Sequence, residues 1–86
     1  DTHNRYFIRL KVEDRCGVLA EMTAIFAKYQ VSVAQIIQKD TKVEGCAEVV
    51  VITEKVREGD FRTAIEELRN RDSVRKISTI IRVYGK

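Results

Sequence analysis

The segment Val12-Glu13-Asp14-Arg15-Cys16-Gly17-Val18-Leu19-Ala20 joins an alternating apolar stretch to an amphipathic one, with a glycine where a helix would begin. A helix start presents backbone N–H groups with no partner inside the helix, at the positive end of the dipole, so it can hold a carboxylate. Asp14, just before the turn, can neutralise an ammonium group. Together they suit a zwitterion, an amino acid with its carboxylate on the backbone and its amino group beside Asp14. The same spacing also describes a well-capped connection, with Asp14 as the helix N-cap and Gly17 relieving the bend. Cys16 lies in the same turn, where a dipole lowers a thiol pKa. No histidine is placed to partner it, and a small turn residue is the simpler role.

Other chemistry is poorly provided for. His3 is the single histidine and stands at the start of the sequence, where solvent exposure is expected. There is no Cys/His/Asp cluster at metal-ligand spacing and no C-x-x-C, so neither a catalytic residue nor a metal site is expected. Sixteen Lys and Arg are scattered among thirteen Asp and Glu, a net charge of +3 with no like-charge run. That pattern is a solvated mixed surface rather than a nucleic-acid footprint. No apolar stretch is long enough for a membrane span, and no signal peptide is visible. Two cysteines, Cys16 and Cys46, are too few for a disulfide scaffold, so reduced thiols and a cytoplasmic location are expected. The opening Asp1-Thr2-His3-Asn4, without methionine, suggests a piece of a longer chain, with residues 1–4 as a linker remnant.

The elements that position the turn follow from periodicity. Tyr6, Ile8, Leu10 and Val12 alternate with Phe7, Arg9 and Lys11, the pattern of a half-buried strand. Val18, Met22, Ile25 and Tyr29, widened by Leu19 and Phe26, form one helical stripe that ends at Gln30. Residues 31–38 make a second strand whose apolar phase slips between Val33 and Ile36, the mark of a bulge. A polar loop over 40–45 leads to a third strand over 47–53. There Val49, Val50, Val51 and Ile52 are apolar on both faces, so the strand should be central and its far face should have some cover. A second helix runs from 58 or 60 to 71 with Phe61, Ala64, Ile65 and Leu68 inward, and a last strand spans 74–84.

The order β-α-β-β-α-β with right-handed crossovers puts both helices on one face of a four-stranded antiparallel sheet, strand order 4-1-3-2. This is a ferredoxin-like α+β sandwich in a single domain. At 86 residues its core alone is marginal, which favours self-association. RNA-recognition domains share the element order but stack bases on aromatic residues of the two central strands. The first strand offers Tyr6 and Phe7 and the third offers none, so RNA binding is the weaker alternative.

Asp14-Arg15-Cys16-Gly17-Val18-Leu19-Ala20 resembles the Asp-Arg-Pro-Gly-Val-Leu signature of ACT domains, small regulatory modules of amino-acid metabolism with this fold. The likeness extends over the chain. Arg5-Tyr6-Phe7-Ile8-Arg9-Leu10, Ile36-Ile37-Gln38-Lys39 and Ile81-Arg82-Val83 most resemble the C-terminal domain of homoserine dehydrogenases. The resemblance implies a feedback-sensing and subunit-association role, with threonine or a branched-chain amino acid as ligand. It implies pairing through the second strand and first helix into a homodimer or higher oligomer. Asp14, Cys16, Gly17, Val18 and Leu19 would come from one copy and Ser32 from the other. Hydride transfer with NAD(P) would belong to the catalytic domains of a parent chain, leaving this domain without cofactor, nucleic acid or membrane contact. Cys16 replaces the family's proline, Ser32 stands where ligand-binding members often carry asparagine, and Val12 where some carry histidine. A pure dimerisation module without ligand is the alternative.

Overall fold

The computed structural model describes residues 3–13, 17–40 and 45–83. Asp14, Arg15 and Cys16, and most of the polar loop after the second strand, lie outside these residues. The chain runs β1 (His3–Glu13), α1 (Val18–Lys28), β2 (Val33–Asp40), β3 (Cys46–Thr53), β4 (Val56–Arg57), α2 (Glu58–Arg69) and β5 (Val74–Val83). All strand pairings are antiparallel. The four long strands lie in the order β5-β1-β3-β2, as expected from the crossover rule. The sheet has a fifth member. β4, two residues long, pairs with His3 and Asn4 at the start of β1. Two residues are too few to show alternation, and His3 and Asn4, expected to be linker, belong to the central strand.

Alternation along β1 buries Tyr6, Ile8, Leu10 and Val12 against the helices. Val49 and Val51 of β3 lie beside them in register, Leu10 opposite Val49 and Ile8 opposite Val51. Val18, Met22, Ile25 and Phe26 of α1 and Phe61, Ala64, Ile65 and Leu68 of α2 complete one core. The register of β2 shifts between Val33 and Gln35, where the apolar phase slips. That bulge lets Val33 and Ile36 both pack on the core although they are three positions apart.

Among the described residues, the other face of the sheet carries no helix. In register across it, Ile81, Phe7 and Ile52 form one apolar row, and Thr79, Arg9, Val50 and Ile37 a mixed one beside it. Val50 is buried there between its neighbours. Tyr6 and Phe7, being consecutive, point to opposite faces, so Tyr6 is lost to the core. Among the described residues Phe7 is therefore the one aromatic side chain this face offers.

Candidate functional site

The end of α1 and the start of β2 flank an open cavity of about 490 Å³ lined by Thr23, Ala27, Gln30, Val31, Ser32 and Val33. The chain reaches it through a tight helix ending. The Gln30 N–H donates to the Ala27 carbonyl at 3.1 Å and the Val31 N–H to the Phe26 carbonyl at 2.8 Å. This is the paired-bond pattern in which the residue past the cap adopts the left-handed conformation. Glycine usually fills that place. Here it is Gln30, at φ 64°, the one described residue other than glycine with a positive φ. This turn takes up 29–31, so β2 begins at Val33 and not at Val31. Val31 is buried and plugs the floor, while Ser32 is exposed and its carbonyl accepts the Glu54 N–H at 2.8 Å.

An ionic network holds this end of α1 against the end of α2. The Tyr29 hydroxyl donates to Glu67, and Lys28 Nζ lies 3.2 Å from Glu67 Oε1. Arg71 reaches Glu67 Oε2 at 3.3 Å and Glu21 Oε2 at 3.7 Å, and the Ser73 hydroxyl donates to Glu21 at 3.0 Å. The Tyr29 hydrogen bond, followed by that of Lys28, holds the Glu67 carboxyl below its ordinary range. Glu67 in turn raises Lys28. Nothing in the hydrophobic pattern announces this network; a glutamate half-way round a helix reads as solvated surface.

The other end of α1 begins at Gly17, its N-cap, at φ 88° and ψ −6° with no side-chain cap. The first intrahelical bond runs from the Glu21 N–H to the Gly17 carbonyl at 2.9 Å. The amides of Val18, Leu19 and Ala20 thus head the helix without an intrahelical partner. Val18 is buried and Leu19 packs against the core, so what these two residues present outward is backbone. The cap falls on Gly17; Asp14 and Cys16, the other members of the expected site, lie outside the described residues.

Within one chain the expected site residues do not converge. Gly17, Val18 and Leu19 stand at the start of α1 and Ser32 beyond its end. Its 11 residues separate them by about 16 Å at ~1.5 Å per residue.

The ACT domain family profile matches residues 6–72, and the chain belongs to that family. It is 37% identical over 85 residues to a homoserine dehydrogenase of Synechocystis, covering 99% of this chain and 19% of the relative. Another from Corynebacterium glutamicum is 32% identical, with 96% and 18% covered. Among solved structures, a homoserine dehydrogenase from Thiobacillus denitrificans superposes with a TM-score of 0.81 at 26% identity, over 93% of this chain and 17% of that one. The ACT domain of a GTP pyrophosphokinase from Chlorobium tepidum shares the fold at a TM-score of 0.64 and 20% identity, covering 95% and 100%. The chain thus spans about a fifth of the length of the homoserine dehydrogenases it matches. No described helix is long and apolar enough to cross a membrane.

Proposed function

We propose that the chain is an amino-acid-sensing and subunit-association domain, paired side by side through β2, with its ligand at the seam. The observation that carries this reading is the placement of the two half-sites at opposite ends of one helix. A two-fold axis near the middle of α1 and β2 sets the helix-start amides of one copy beside the Ser32 cavity of the other. Two equivalent sites then arise, each needing both copies.

The edges of the sheet favour β2 as the seam. Residues 33–38 of β2 carry no charge, and the strand is bulged only at its start. β5, the opposite edge, is broken by two register shifts and carries Arg75, Lys76 and Arg82, the usual devices against edge pairing. A ligand spanning the seam is bound only when both copies are aligned, so it biases their association, with coupling of about 1–3 kcal/mol. The likeness to homoserine dehydrogenases supports an NAD(P)-dependent parent of that kind in the cytoplasm, and threonine as the first ligand to test.

The test is a thermal-shift screen of the chain against the proteinogenic amino acids, followed by calorimetric titration of the best binder. Ligand at ~100 times its Kd adds about 2.7 kcal/mol, about 10 °C or more for a domain of this size. Asp14→Ala should then weaken binding by about 1.5–3 kcal/mol with the fold retained. Unchanged affinity with about 1 kcal/mol of lost stability would make Asp14 a structural residue only. Sedimentation should give a dimer or larger, which Ile37→Lys on the exposed side of β2 shifts toward monomer. Pairing with no amino-acid response would leave a ligand-free association module.

A further inference from the structure

The open face of the sheet is apolar across its middle and charged toward both ends. Of the exposed large apolar side chains described, three lie on it: Ile37 at 37%, Ile81 at 50% and Val83 at 42%. With Phe7, Val50 and Ile52 they make a patch that nothing among the described residues covers. An apolar sheet face is ordinarily closed by a second layer about 10 Å away.

The charges on this face are sorted by strand. β1 contributes Arg5, Arg9 and Lys11, alternating with Phe7. β3 and the residue after it contribute Glu48 and Glu54, on either side of Val50 and Ile52. Register sets Lys11 opposite Glu48. Arg9 Nε lies 3.7 Å from Glu48 Oε2 and Arg5 Nη2 lies 3.8 Å from Glu54 Oε1, charge contacts too long for hydrogen bonds. All four side chains stay partly exposed, so each can still meet a charge from above the sheet. A basic strand thus lies directly beside an acidic one, at the centre of the order β5-β1-β3-β2.

We propose that this face packs against the same face of a second copy, about a two-fold axis running along the strands between β1 and β3. That operation lays β1 of each copy over β3 of the other. Phe7 then meets the partner's Ile52, Arg5 the partner's Glu54 and Lys11 the partner's Glu48. Each meeting occurs twice, as a self-complementary interface requires. A two-fold axis running across the strands would instead set Glu48 against the partner's Glu54 and Arg5 against the partner's Lys11, so charge selects the first orientation. Lys76 does come over the partner's Lys39, but at an outer corner where both are exposed and salt screens them. Four strands about 4.8 Å apart, over the residues from Arg5 to Lys11, give a face of about 20 by 20 Å. Two such faces bury on the order of 800 Å², the scale of a weak, concentration-dependent pair. Pairing through β2 lies in the plane of the sheet and leaves this face open, so the inference stands apart from the ligand reading.

The test is a pair of charge reversals, Lys11→Glu and Glu48→Lys, on the two central strands and away from the β2 edge. Each alone brings like charges together twice, and should weaken face association about ten-fold or more in sedimentation equilibrium. Mixed in equal amounts, the two variants restore both opposite-charge meetings, and should associate within about three-fold of the unaltered chain. Charge effects confined to one chain could not be relieved by mixing. Amide shifts locate the contact: isotope-labelled Lys11→Glu with unlabelled Glu48→Lys should shift residues 5–11 and 48–54. Arg5→Glu with Glu54→Arg should behave alike at the other end of the face. No association through these residues at millimolar chain, single variants that associate as well as the unaltered chain, or a mixture no tighter than its components would overturn the proposal. So would shifts confined to residues 33–38, which would leave β2 as the one contact.

Discussion

Replacing Gln30 with glycine separates what the turn after α1 costs from what it is for. Gln30 sits at φ 64° with its side chain exposed. A left-handed residue with a Cβ is disfavoured by about 1–2 kcal/mol. Glycine removes that strain but gains freedom in the unfolded chain, which offsets about 0.5–1 kcal/mol. The two bonds that close the turn, at 3.1 and 2.8 Å, are made by backbone groups and survive the change. The net expectation is a gain of about 0.5–1 kcal/mol, a rise in Tm of about 2–8 °C for a domain of this size. The same side chain lines the cavity beside Ser32, so amino-acid affinity should fall as stability rises. A lost neutral hydrogen bond of about 0.5–1.5 kcal/mol corresponds to about two- to ten-fold. Urea melts and calorimetric titration on one preparation read both. Destabilisation by Gln30→Gly would refute the reasoning, since it would mean the side chain stabilises the fold by more than the strain it brings.

Gly17→Ala should cost about 0.5–1 kcal/mol in urea melts, because φ is 88° while a Cβ there would meet nothing within 4 Å; the penalty is backbone strain alone, less the same unfolded-chain offset. Met22→Ala, at 0% exposure in the core, should lower stability by about 2–5 kcal/mol. Glu67→Gln should flatten the acid limb of the stability–pH curve. Its carboxyl is lowered by the Tyr29 hydroxyl and then Lys28, so its contribution is present above the unfolded value and disappears as pH falls through the folded one. Lys28 is raised by Glu67, so its contribution is present below the ordinary lysine value and lost as pH climbs past the raised one. Denaturant melts of Glu67→Gln across both ranges should show both dependences diminished together.

Most of the architecture was legible because its causes are periodic. Alternation in β1, the stripes of α1 and α2 and the phase slip in β2 each reflect one buried face, and the order of elements then leaves little choice of topology. Features set by a single residue or by distant pairing were not legible. β4 exists because β1 extends to His3 and offers Val56–Arg57 a partner. Thr53 reads as the end of a strand, yet it is fully buried and its hydroxyl accepts the Tyr6 N–H at 3.0 Å. The candidate site shows the same division. Gly17 and Ser32 are conspicuous in the sequence, whereas the strained Gln30 and the Glu67 network depend on how a helix ends and what lies across from it. Exposure along β5 was hidden because Ile80-Ile81-Arg82-Val83 reads as well as a covered strand.

The position of β1 between β3 and β5 has a consequence for the order in which the molecule can form. The first strand of the domain is interior, and one of its two sides stays open until β5 arrives, since Arg5 pairs with Val83 and Val12 with Val74. Its contacts join the two ends of the chain, the kind of closure that slows folding and makes it all-or-none. A nascent chain stopped before residue 74 would carry an open backbone edge along Tyr6, Ile8, Leu10 and Val12, the side chains of the core itself. Until the ten residues of β5 are in place, the chain displays the kind of apolar strand edge that chaperones exist to shield.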